Sequence, residues 1–215
     1  PDEGPLRGHP TDDGAGQGLT PRKRRTVAAS RPEAPPPAPG DRAYRLAFAL
    51  VDALACLEVG AVLVVHASVS ESLGLREELS GLVLTTYLYP LFGVLLLTLL
   101  LDRRIRQAAS PRSLLLLGLG LFAAGSGLCA LAPSPALFFP ARGVLGMGAA
   151  LAFAGQLWSG SVRCAGAVAG LLVWGEAGAA LGDLAGPLLG ALFARFSTEG
   201  WRGFFLFEGT LALLT

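Results

Sequence analysis

Residues 46–65 read LAFALVDALACLEVGAVLVV, an apolar run interrupted only by Asp52 and Glu58. Crossing a bilayer takes ~20 apolar residues at a helical rise of 1.5 Å, and this run has that length. The run is too long for a secretory signal peptide, whose apolar core spans only ~7–15 residues. Outward from this run, residues 81–101, 113–132 and 136–158 repeat the pattern. Residues 165–194 form a longer stretch that must tilt, bend at Pro187 or protrude. A sixth apolar stretch begins near Gly203 and is cut short at Thr215. A buried core helix of a soluble protein explains one such run but not five in succession. The expected fold is therefore an all-α membrane bundle of six helices with the last truncated.

The 215-residue chain supports this reading in its charge distribution. Charged residues make up 15% of it, against roughly 25% in soluble domains. Residues 1–45 hold nine of the 15 prolines, eight Lys/Arg and six Asp/Glu. They are read as a disordered, Pro-rich cytoplasmic tail, since so little apolar surface cannot offset chain entropy. Their cluster Arg22-Lys23-Arg24-Arg25 fits a juxtamembrane segment that meets anionic lipid. The formal net charge of +1 gives no reason to expect a nucleic-acid partner. Arginines sort by side of the membrane: Arg103, Arg104, Arg106 and Arg112 lie between spans 2 and 3, and Arg163 between 4 and 5. With the basic tail, these place the N-terminus in the cytoplasm. Arg195 and Arg202 fall on the other side as an exception.

Polar groups inside the spans carry the chemistry. Asp52 and Glu58 lie in span 1, Arg142 in span 4, and Glu176 and Asp183 in span 5. Each charge costs ~2.5–3.5 kcal/mol at a helix centre, so such residues face a cavity or a partner. Asp52 and Glu58 are about 120° apart on a helix and cannot share a face, whereas Glu176 and Asp183, seven apart, can. Glu58 or Asp183 fits a site that gains and loses a proton; a fixed ion pair, for example with Arg142, is the alternative. Gly178, Gly182, Gly186 and Gly190 form a stripe that lets another helix backbone approach closely, and Pro187 weakens the ladder beside it. Cys56, Cys129 and Cys164 lie far apart in apolar runs and read as small buried hydrophobes.

Several of these stretches together resemble the major facilitator superfamily, and within it the drug:proton antiporters. Gly182-Asp-Leu-Ala-Gly186-Pro187-Leu-Leu-Gly190 is similar to the span 5 antiporter motif. Arg142-Gly143-Val-Leu-Gly146-Met-Gly148 resembles the span 4 motif, whose arginine is implicated in proton coupling. Trp201-Arg202 before Phe204-Phe205 looks like the opening of span 6, and Thr86-Tyr87-Leu88 like the span 2 pattern of the fourteen-helix branch. Glu58, sixteen residues before Gly74, stands where that branch carries an aspartate. The loop 2–3 signature keeps Asp102, Arg103 and Arg106 but lacks both glycines. The resemblance implies a six-helix N-terminal bundle of a twelve- or fourteen-helix transporter. It implies Glu58, Arg142 and Asp52 as proton-coupling candidates, and Gly178, Gly182, Asp183, Gly186, Pro187 and Gly190 as the antiporter-like motif. Asp102, Arg103 and Arg106 become the cytoplasmic latch.

Rival chemistries are weak. Gly146-Met-Gly148 and Gly118-Leu-Gly120 lie inside spans with no strand before them, so no dinucleotide is expected; neither cofactor nor metal is. Ser159 and Ser161 with His66 would need hydrogen-bond reach to act as a hydrolase, yet they close their spans on opposite sides. Trp158 and Trp201 fall at span ends, as interfacial aromatics do. The functional expectation is proton-coupled efflux of a small, partly hydrophobic molecule by a non-enzymatic transporter. Its partners would be substrate, protons, membrane lipid and the C-terminal half of the same transporter. A uniporter or symporter of the same superfamily, or a non-transporting sensor or scaffold, are the alternatives.

Overall fold

Apolar runs of this length in lipid leave the backbone no solvent to bond with, so the chain satisfies its peptide groups within helices. The computed structural model describes residues 41–161 and 165–215, which belong to the compact unit Pro37–Thr215. The expectations for residues 1–40, including the basic cluster, and for Arg163 and Cys164 lie outside the described residues. Eight helices occur among the described residues: α1 (Asp41–Ser72), α2 (Glu77–Ser80), α3 (Leu82–Leu100), α4 (Asp102–Ala108), α5 (Pro111–Leu131), α6 (Pro135–Ser161), α7 (Ala165–Phe196) and α8 (Gly200–Leu214). No strand occurs among them. Five stretches are long and apolar enough to span: Tyr44–Ser72, Glu77–Leu100, Pro111–Leu131, Pro135–Ser159 and Gly170–Phe196. The protein is thus an all-α, integral multi-pass membrane protein. At 15 residues α8 reaches only about 22 Å, short of the ~30 Å hydrocarbon core.

The first helix departs most from its sequence boundaries. It begins at Asp41, so residues 41–45 are helix rather than tail, and it continues past residue 65 to Ser72. Thirty-two residues span about 48 Å, so its polar ends extend beyond the apolar core. It stops at Gly74, whose φ of 60° suits a residue without Cβ. There Leu75 N–H donates to the Ser70 carbonyl at 2.8 Å and Gly74 N–H to that of Glu71 at 3.1 Å, a Schellman ending. At the other extreme α5 starts sharply: Ser110 accepts from Ser113 N–H and Pro111 occupies the first turn.

Glycine sets which helices meet. A Cβ on Gly178, Gly182, Gly186 or Gly190 would collide with Ala49, Ala53, Leu57 or Ala61 of α1 respectively, each pair one turn further along. Both series rise together, so α1 and α7 run parallel with their backbones in contact. The stripe therefore packs within the bundle, reinforced where Pro187 Cδ lies against Gly60. A second glycine seam joins α5 and α6 in antiparallel sense: Gly118 and Gly125 meet Ala152 and Leu145, while Gly148 and Gly155 meet Phe122 and Leu115. Gly146 seats on the backbone of Tyr87 and places α3 beside α6. Only 22% of the apolar stretch of α3 is covered by protein. Its outer surface, with Tyr89, Phe92, Leu96 and Leu100 exposed, suits contact with lipid.

Candidate functional site: two acid sites on one helix

Asp52 and Glu58 sit six residues apart on α1, about 9 Å along its axis. The packing of α1 sends them to different places. Glu58 turns into the bundle and is fully buried, as are Arg142 of α6 and Glu208 of α8. Glu58 Oε1 forms an ion pair with Arg142 Nη1. Arg142 Nε donates to the Val83 carbonyl of α3 at 3.0 Å. Its guanidinium also stacks 5.1 Å from the Tyr87 ring centre and 5.6 Å from that of Phe205. Four helices thus surround one cation. Glu208 interacts electrostatically with Arg142 from the α8 side, and Ser126 Oγ of α5 stands 2.9 Å from Glu208 Oε2. Glu58 Oε2, Arg142 Nη2, Tyr87 OH and Glu208 Oε1 are buried without a hydrogen-bond partner among the described residues. A site so incompletely satisfied is costly to keep unless it has a use.

Glu208 is the buried charged residue of this cluster that the sequence reading missed. Its signal matches that of Glu58: a lone carboxylate in the apolar run FFLFEGTLALL of residues 204–214. The Glu58–Arg142 pair matches the fixed ion pair held open as an alternative, and it joins two of the proton-coupling candidates.

Asp52, the third candidate, belongs elsewhere. Its carboxylate lies over Gly175, where a Cβ would displace it. Among the described residues it makes no ion pair or hydrogen bond. Together with Glu176 and Gln156 it lines a partly open cavity of about 370 Å³ between α1, α3, α6 and α7. Phe48, Phe92 and Phe153 supply much of the apolar wall. Gln156 is committed through Nε2, which donates to the Phe48 carbonyl at 2.8 Å, while its buried Oε1 has no partner among the described residues. The size falls within the ~300–1,000 Å³ of small-molecule sites, and the mix of apolar walls with few polar groups is typical of them.

The remaining expected residues divide. Asp183 lies against the Cys56 thiol; like Glu176, it is on the exposed side of α7. Asp102 bonds Arg106 Nε at 2.6 Å within α4, and Arg106 stacks 5.0 Å over Trp158 of α6. Arg103 is exposed and without a partner among the described residues. Of the expected latch residues, Asp102 and Arg106 thus pair within α4, and Arg106 also reaches α6. Both terminal tryptophans are buried within the protein. Trp158 is covered in part by Arg106, and Trp201 packs edge-on against Phe138 and Phe205. His66 Nε2 lies 2.9 Å from the Ser80 carbonyl, and Ser159 Oγ donates to that of Gly155, so each is engaged separately. Among the described residues no group of three His, Cys, Asp or Glu could hold a metal.

Arg202, the exception to the arginine pattern, has a local task. Nη1 donates to the carbonyls of Ala130 and Ala132 at 2.8 and 2.7 Å, closing the C-terminal end of α5. Nε pairs with Glu199, which also accepts from Ser72 Oγ at 2.8 Å. The bond from Arg202, then that from Ser72, holds the exposed Glu199 carboxyl below its ordinary value.

No protein-family model matches the chain, and no curated protein matches it either. The fold and buried charges define an integral, multi-pass, all-α membrane protein with an occluded charge cluster beside a partly open cavity.

Proposed function

We propose that the protein is a membrane transporter that exports a small, partly hydrophobic molecule in exchange for protons, in the manner of the drug:proton antiporters its motifs resemble. The observation that carries this reading is the placement of two different acid sites on the single helix α1. Glu58 is sealed against Arg142, while Asp52, without an ion pair among the described residues, lines an aromatic cavity about 9 Å away along the axis. A transporter that couples two cargoes needs such a division, with a titratable site and a substrate site on one moving element. Asp52, Glu176 and Gln156 Oε1 offer acceptors, so the cavity favours a molecule bearing N–H donors on an apolar body.

The exposed face of α7, with Glu176 and Asp183, also favours a further covering element. A carboxylate facing lipid costs ~2.5–3.5 kcal/mol near the bilayer centre. The C-terminal half of such a transporter would cover that face. In this reading the N-terminus is cytoplasmic, and Asp102 with Arg106 steadies the cytoplasmic end of α3.

The test is flux through full-length protein in proteoliposomes with an imposed pH gradient, using a fluorescent amine as substrate. Glu58→Gln is expected to abolish exchange driven by the gradient while leaving substrate binding within about twofold. Asp52→Asn is expected to weaken binding of the amine at least tenfold. Gradient-driven flux that survives in Glu58→Gln removes the proton assignment. Uptake rather than export of the amine points to a symporter.

A further inference from the structure

The buried cluster holds two carboxylates, Glu58 and Glu208, but a single arginine. With both acids ionised, one negative charge would remain uncompensated in a site sealed from water, at a cost of several kcal/mol. Two carboxylates sharing one site resist simultaneous ionisation for the same reason. The hydrogen bonds indicate which one is neutral. Glu58 is ion-paired with Arg142. Ser126 Oγ stands 2.7 Å from the Phe205 carbonyl oxygen and 2.9 Å from Glu208 Oε2. Its one hydroxyl proton can serve both acceptors only as a shared three-centre bond. With that proton given to the Phe205 carbonyl, which can only accept, the second contact is satisfied by a hydrogen on Glu208 donated to the Ser126 oxygen.

We propose that Glu208 is a resident proton-binding site, and that Glu58 and Glu208 form a relay around Arg142 in which one carboxylate is ionised at a time. This deepens the proton-coupled reading above by assigning a second proton site on α8. In the arrangement seen here, Arg142 neutralises Glu58 and the proton sits on Glu208. When Glu58 takes up a proton from the cavity side, its pairing with Arg142 ends. Arg142 then neutralises Glu208, whose O–H bond breaks and whose proton leaves on the α8 side. One proton enters and one leaves, so the cluster carries the same charge before and after the exchange. Tyr87 OH and Cys129 are the other titratable groups within electrostatic reach of Glu208, and both are neutral in this cycle. The orphaned Glu208 Oε1 and Arg142 Nη2 are the atoms left free for the alternate pairing.

Infrared spectroscopy of the full-length protein in lipid bilayers tests this without any transport, so a failed flux assay and a failed relay remain distinct. The wild type at neutral pH is expected to show the carbonyl band of a protonated carboxylic acid. Glu208→Gln should remove that band, and so should Glu58→Gln, because without an ionised Glu58 the arginine neutralises Glu208. Ser126→Ala should shift it to higher frequency through the lost hydrogen bond, which keeps the test usable if Glu208→Gln does not fold. Glu208→Asp should restore a shifted band. Persistence of the full band in Glu208→Gln, or no shift in Ser126→Ala, would overturn the assignment.

Discussion

The two ends of α1's acidic stretch invert each other. Around Glu58 the protein supplies a cation, two aromatic rings and total exclusion of solvent, so the carboxylate is bound to its surroundings. Around Asp52 it supplies space, apolar walls and a second acid, so the carboxylate meets no cation among the described residues. Identical chemistry on one helix acquires two roles because α6 brings Arg142 to one level and Gln156 to the other. Burial alone does not separate them, since Asp52 is only 9% exposed. Whether a countercharge is present does.

The sharpest way to break this contrast is to remove the countercharge. Arg142→Ala strands Glu58, and truncating one partner of a buried pair costs ~3–5 kcal/mol. Thermal unfolding in detergent should show that loss. An Arg142→Ala protein as stable as wild type would mean the closed site is not closed. Next comes the seam that holds α1 against α7. Gly182→Ala places a Cβ against the Ala53 carbonyl, a mismatch worth ~1–3 kcal/mol. Gly120→Ala meets open space and should gain up to ~1 kcal/mol from helix propensity. Equal responses of the two variants would contradict the close approach of α1 and α7.

The smallest effect belongs to a carboxylate outside the membrane. Glu199 is exposed, and the bond from Arg202 followed by that from Ser72 lowers its titration point. A depressed carboxyl stabilises the fold above its ordinary value of about 4.3, and that contribution disappears as pH falls through the lower folded value. Amide exchange at the end of α1 and the start of α8 should therefore accelerate only under strongly acidic conditions. Ser72→Ala should move the onset to higher pH.

Much of the architecture is legible in apolar run lengths, because lipid leaves the backbone no alternative to helix. The Gly178–Gly190 stripe is legible too, as four glycines at helical spacing have few other uses. The second seam is not: Gly118 and Gly125 on α5, with Gly148 and Gly155 on α6, sit in runs where any apolar residue would satisfy the pattern. The split between Asp52 and Glu58 follows from their angular separation, but not which one meets Arg142. That depends on the rotation of α6, which its own sequence does not state. Glu208 shows a further limit. A lone acid announces burial with a purpose, yet its partners Ser126 and Arg142 lie 82 and 66 residues earlier.

The same sequence distances set a timetable for assembly. Glu58 leaves the ribosome 84 residues before Arg142. At ~5–20 residues per second, roughly 4–17 s pass before its countercharge exists. The glycine stripe that covers α1 comes later still. For that interval α1 is a helix with two acids and no partner, poorly suited to lie alone in lipid. It must wait near the translocation machinery or at the membrane surface, and the synthesis of α6 and α7 marks the moment at which it can settle.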